Sequence, residues 1–78
     1  MKRLNAMQHF IANMIRIRKD RGMTQTDLAE LIGTKQSAIS RLERGEEDIT
    51  LSRAEAICDA LSVELSEMVT SPELSKIT

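Results

Sequence analysis

The segment Gln25–Arg44 reads QTDLAELIGTKQSAISRLER. Leu28, Leu31 and Ile32 recur at helical spacing and are expected to face inward. Thr24 can cap this helix, and Asp27, three residues on, answers as the return half of a capping box. Gly33 closes it, because glycine enters the left-handed conformation without steric cost. A second helix begins within Thr34–Gln36 and ends near Arg44, with Ile39 and Leu42 as its apolar pair and Ala38 beside them. Only three or four residues separate the two helices, so they meet at a sharp angle. Ala29 is small enough to let a neighbouring helix approach. The other face of the second helix, Gln36, Ser37, Ser40, Arg41 and Arg44, is polar and basic and holds no acid.

The flanks are helical too. Phe10, Met14 and Ile17 form one apolar stripe on a helix expected from about Arg3 to Arg21. Its basic end (Arg16, Arg18, Lys19, Arg21) suits the negative pole of the helix dipole. Met7, Ile11 and Ile15 make a second stripe, to be covered either by the tail through Leu74 and Ile77 or by a partner. A fourth helix starts at Thr50 or Ser52 and buries Leu51, Ala54, Ile57, Cys58 and Leu61. A fifth, about Leu65 to Val69, is short and stops before Ser71-Pro72. No alternation of β-branched residues signals a strand. The expected architecture is therefore all-α, a five-helix domain over residues 1–70 with a tail over 71–78.

Composition narrows function. The chain has 78 residues, 41% of them hydrophobic, which fits one small globular domain. No apolar run is long enough to span a membrane, and Asn5, Gln8, His9 and Asn13 interrupt any signal-peptide core. A lone Cys58 makes no intramolecular disulfide, so a reducing, cytoplasmic setting is expected. One Cys and one His supply no zinc set, and no nucleophile–base pair or phosphate loop is evident, so neither a metal, a cofactor nor an enzymatic activity is expected. The net charge of −1 by itself argues against a nucleic-acid partner. It conceals a split. Residues 1–45 carry nine Lys/Arg against four acids, whereas residues 46–78 carry two against eight. The basic part is expected to face an anionic partner and the acidic part to lie away from it.

The order and spacing of Leu28, Ala29, Ile32, Gly33, Ile39 and Leu42, with RKDRGMTQ before and LERG after, resemble the helix-turn-helix of the lambda-repressor-like (XRE or Cro/repressor-type) DNA-binding family. The resemblance covers about residues 8–70. It implies that the second helix of the pair lies in the major groove of double-stranded DNA. By position, Gln36, Ser37, Ser40 and Arg41 are the implied base readers, glutamine suiting adenine and arginine guanine. Thr24, Gln25, Lys35 and Arg44 are the implied phosphate contacts, and Arg18 and Glu43 an implied brace between helices. Several residues depart from the family pattern: Thr34 for a buried valine, Lys35 for a capping hydroxyl that Thr34 would have to replace, Ser62 for a glycine, Glu64 for a cap, and Cys58 for an alanine.

The resemblance further implies a transcriptional regulator, with a homodimeric repressor on a near-palindromic site as the first reading. Val63, Leu65, Met68 and Val69 are the dimer candidates. The alternative is an antitoxin-like or anti-repressor module whose main partner is another protein. No small-molecule effector is evident, so switching is expected to come from concentration, a partner protein or proteolysis.

Overall fold

The structure, a computed structural model, describes residues 5–70. Five helices follow one another: α1 (Ala6–Asp20), α2 (Gln25–Ile32), α3 (Gln36–Glu43), α4 (Leu51–Leu61) and α5 (Leu65–Met68). No strand occurs among the described residues.

Local chemistry sets each start. Asn5 begins α1 through a reciprocal capping box: its side chain accepts from the Gln8 amide at 2.8 Å while its own amide donates to Gln8 Oε1 at 2.9 Å. Asn5 is extended and α1 opens at Ala6; the expected start at about Arg3 lies outside the described residues. Thr24 and Asp27 form the expected box on α2, with both bonds at 2.9 Å. Thr50, and not Ser52, caps α4 by accepting from the Arg53 amide. Lys35 and Glu64 stand at the caps of α3 and α5 without any side-chain capping bond, and Thr34 does not replace the missing one.

Gly33 ends α2 at φ 72°, and the Thr34 amide then turns back to the Ala29 carbonyl. Three residues thus join α2 to α3, and this is the most closely packed pair of helices. Ala29, 1% exposed, lies within that crowded region. Ser62 ends α4 at φ 56° and ψ 45°, the left-handed conformation that glycine favours. An L-residue is strained there by about 1–2 kcal/mol, partly offset by the extra freedom glycine has when unfolded. Ser62 is exposed. Ser62→Gly is therefore expected to raise stability by about 0.5–1 kcal/mol, read as a higher urea midpoint. A lower midpoint would contradict this account of the turn.

The core gathers Phe10 and Met14 of α1, Leu28 and Ala29 of α2, Ile39 and Leu42 of α3, the inner face of α4 and Met68 of α5. Four expectations change. Leu31 is 60% exposed, because one helix of eight residues turns a single stripe inward, here Leu28 and Ala29 with the half-buried Ile32. Leu51 is 66% exposed, because the cap at Thr50 makes it the first residue of α4, before the chain has turned inward. Ile11 is buried rather than left on a second open stripe, with Met7 and Ile15 half-buried. Leu74 and Ile77 lie outside the described residues. Met68 is fully buried, so it is a core residue and not available to a partner. Cys58 packs in the same core, and its burial raises the thiol pKa.

Candidate nucleic-acid interface

The turn between α2 and α3 directs Ile39 and Leu42 into the core, which leaves the opposite side of α3 outward. Lys35, Gln36, Ser37 and Arg44 are exposed along it, while Ser40 and Arg41 are half-buried. Thr24 is exposed and Gln25 half-buried at the start of α2. The structure therefore brings the expected base readers onto one face, with the start of α2 beside it through Gln25.

A chain of hydrogen bonds ties that face to the rest of the domain. Arg18 of α1 grips Glu43 of α3 with two bonds, Nε to Oε2 at 2.8 Å and Nη2 to Oε1 at 3.0 Å. Its Nη1 donates to the Met23 carbonyl at 2.8 Å. Glu43 Oε1 also accepts from Gln25 Nε2 at 2.8 Å, and Gln25 Oε1 accepts from Gln36 Nε2 at 2.6 Å. The amide of Gln36 is thus oriented through α2 by an ion pair anchored in α1. Both side chains of that pair are only 8% exposed, so it is a buried brace and not the weak surface pair that two isolated charges would suggest.

The arginines of the face are paired as well. Arg41 Nε donates to Glu47 Oε1 at 2.9 Å. Arg44 donates to Glu46 and, through Nη1, to Ser40 Oγ. The hydrogen bond and charge of Glu46 raise the Arg44 pKa, and the Arg44 bond lowers that of the Glu46 carboxyl. The acidic part of the chain does not therefore lie wholly away from the basic face. Glu46 and Glu47 fold back onto it.

Asn13 was legible only as a polar interruption, yet it is fully buried and anchors α5. Its Nδ2 donates to the carbonyls of Met68 at 2.9 Å, Thr70 at 2.8 Å and Glu67 at 3.4 Å. Its position between Phe10 and Met14 on the apolar stripe was the available signal. On the far side of α5, Leu65 (37% exposed) and Val69 (36% exposed) join Met7, Phe10, Ile49 and Leu51 around an open apolar groove. Val63 is half-buried against the core.

A family profile described as "Helix-turn-helix" matches residues 14–68, most of the chain. This chain belongs to the helix-turn-helix family, in its XRE/Cro type. The family is one of DNA-binding transcriptional regulators and is not enzymatic. An immunity repressor protein of Bacillus phage phi105 is 37% identical over 60 residues, which are 77% of this chain and 42% of that protein. The chain therefore spans less than half the length of this relative. An uncharacterized HTH-type transcriptional regulator, y4dJ, of Sinorhizobium fredii is 34% identical over 59 residues, 76% of this chain and 77% of that one. Among solved structures, a hypothetical transcription factor NHTF from Neisseria superposes with a TM-score of 0.84 at 28% identity, covering 95% of this chain and 86% of that one. A tyrosine-to-alanine mutant of the restriction-modification controller protein C.Esp1396I gives 0.77 at 30% identity, covering 90% and 95%. The five-helix architecture expected for this helix-turn-helix protein thus matches solved XRE-type transcription factors. Among the described residues no helix is long and apolar enough to cross a membrane.

Proposed function

We propose that the domain represses transcription by occupying a near-palindromic operator as a homodimer, with α3 of each copy in the major groove. The observation that carries this reading is the outward face of α3, where Gln36, Ser37 and Arg41 stand together and Gln36 is held by Gln25. In this reading Gln36 addresses adenine and Arg41 guanine, with Ser37 and Ser40 beside them. Thr24, Gln25, Lys35 and Arg44 hold phosphates, fixing register without reading sequence. Leu65 and Val69, at the rim of the apolar groove, replace Met68 as the pairing surface. The immunity-repressor relative supports repression over activation.

Arg41→Ala and Gln25→Ala separate the two kinds of contact. Arg41→Ala is expected to cost about 1–3 kcal/mol on the selected operator and to leave random duplex little changed. Gln25→Ala is expected to weaken both. Fluorescence anisotropy on the two duplexes checks this. Equal weakening of both by Arg41→Ala would remove the base-reading role.

A further inference from the structure

We infer that Glu46 and Glu47 are intramolecular competitors for the DNA-facing arginines and so set the affinity of the domain for DNA. The inference rests on the proposed roles of Arg41 and Arg44 at the interface. Its basis is geometric. Gly45 follows α3 at φ 72°, and the Glu46 amide turns back to the Arg41 carbonyl at 3.0 Å. This turn reverses the chain and lays the next two side chains beside α3. Glu47 then occupies Arg41 Nε, and Glu46 takes both Nε and Nη2 of Arg44. A carboxylate bound to guanidinium uses the same donors that a guanine edge or a phosphate needs. Arg44, held through Nε and Nη2, must leave Glu46 to offer those donors, whereas Arg41 is held at Nε alone, so Glu47 competes by neutralising its charge and fixing the direction of its guanidinium. All four side chains are between 42% and 56% exposed, so these pairs are weak enough to open.

The two acids have different consequences. Arg41 is assigned to base reading, and random DNA gives it no matching edge, so it stays with Glu47 there. Arg44 is assigned to phosphate, which every duplex offers. Glu47 therefore lowers affinity for the operator, and Glu46 lowers affinity for any duplex.

The test uses the full chain with two labelled probes, a duplex that it selects from a random pool and a random-sequence duplex. Glu47→Gln is expected to tighten the selected duplex about three- to fivefold and to leave the random duplex nearly unchanged. Glu46→Gln is expected to tighten both by a similar factor and to steepen the dependence of log affinity on log salt, by up to about 0.9. Asp48→Asn removes the same charge from a side chain with no ion pair among the described residues, and is expected to give a smaller gain. The gain from Glu47→Gln should vanish in an Arg41→Ala background, and that from Glu46→Gln in Arg44→Ala. Gains that persist in those backgrounds, or that Asp48→Asn equals, would reduce the effect to general charge and overturn the inference. Weaker binding by Glu47→Gln would make Glu47 a support for Arg41 and overturn it too. Those results leave the DNA reading intact if Arg41→Ala alone still weakens operator binding. Were Arg41→Ala alone without effect, the base-reading role and the inference about Glu47 would fall together.

Discussion

Glu43→Ala is expected to destabilise the domain by about 3–5 kcal/mol, the range for breaking a buried ion pair from one side. The Arg18 and Glu43 side chains are each 8% exposed and joined by two bonds. Removing the carboxylate leaves a guanidinium out of water with only the Met23 carbonyl to meet it. It also removes the acceptor of Gln25 and thereby loosens Gln36. A domain of this size has about 4–12 kcal/mol in total, so the loss is a large share of its stability. Replacing both partners, as in Arg18→Met with Glu43→Leu, is expected to restore much of it, because no charge is then left unpaired. Urea denaturation followed by far-UV circular dichroism measures both variants. A loss below about 1 kcal/mol for Glu43→Ala, as for a surface pair, would contradict the brace.

Asn13→Ala is the second large effect, about 2–3 kcal/mol. The two amide hydrogens of Asn13 are shared among three carbonyls at the C-terminal end of α5. That helix has four residues and no side-chain cap, so it depends on Met68 in the core and on this amide, with His9 Nδ1 a further contact at 3.2 Å from the Val69 carbonyl. Without the amide, buried carbonyls lose their donor and a void opens beside Met14. Asn13→Asp is expected to be worse than Asn13→Ala, because a carboxylate offers those carbonyls no donor and sets like charge against them. Hydrogen exchange supplies a local signature, in which α5 amides lose protection before those of α2 and α3. Uniform loss across all helices would mean that Asn13 supports the core in general and not α5.

What was legible in the sequence depended on how local its cause was. The Thr24–Asp27 box, the turn at Gly33 and the inward pair Ile39 and Leu42 all follow from neighbours within one helical turn. The left-handed turn at Ser62 was signalled by the family resemblance, which puts a glycine there, and not by neighbouring residues. Leu31 and Leu51 misled because apolar character was read as burial, whereas burial depends on which side of a short helix meets the others. Asn13 was passed over because its partners lie more than fifty residues away. Glu46 and Glu47 were assigned by chain order to the acidic part, but the reversal at Gly45 returns them to the basic face. Counting charge by segment describes the chain; the fold decides which charges meet. Gln36, Ser37, Ser40 and Arg41 were readable as one face from helical spacing. The Gln25–Gln36 bond and the depth of the Arg18–Glu43 pair needed three helices in place.

Selection of bound duplexes from random DNA, run with the intact chain and with Arg41→Ala, shows whether α3 reads base sequence. The intact chain is expected to enrich a near-palindromic site with half-sites about 34 Å apart, one turn of DNA. Arg41→Ala should then lose base preference at one position in each half-site and keep the others. No enriched sequence from the intact chain, or the same preferences from both proteins, would contradict it.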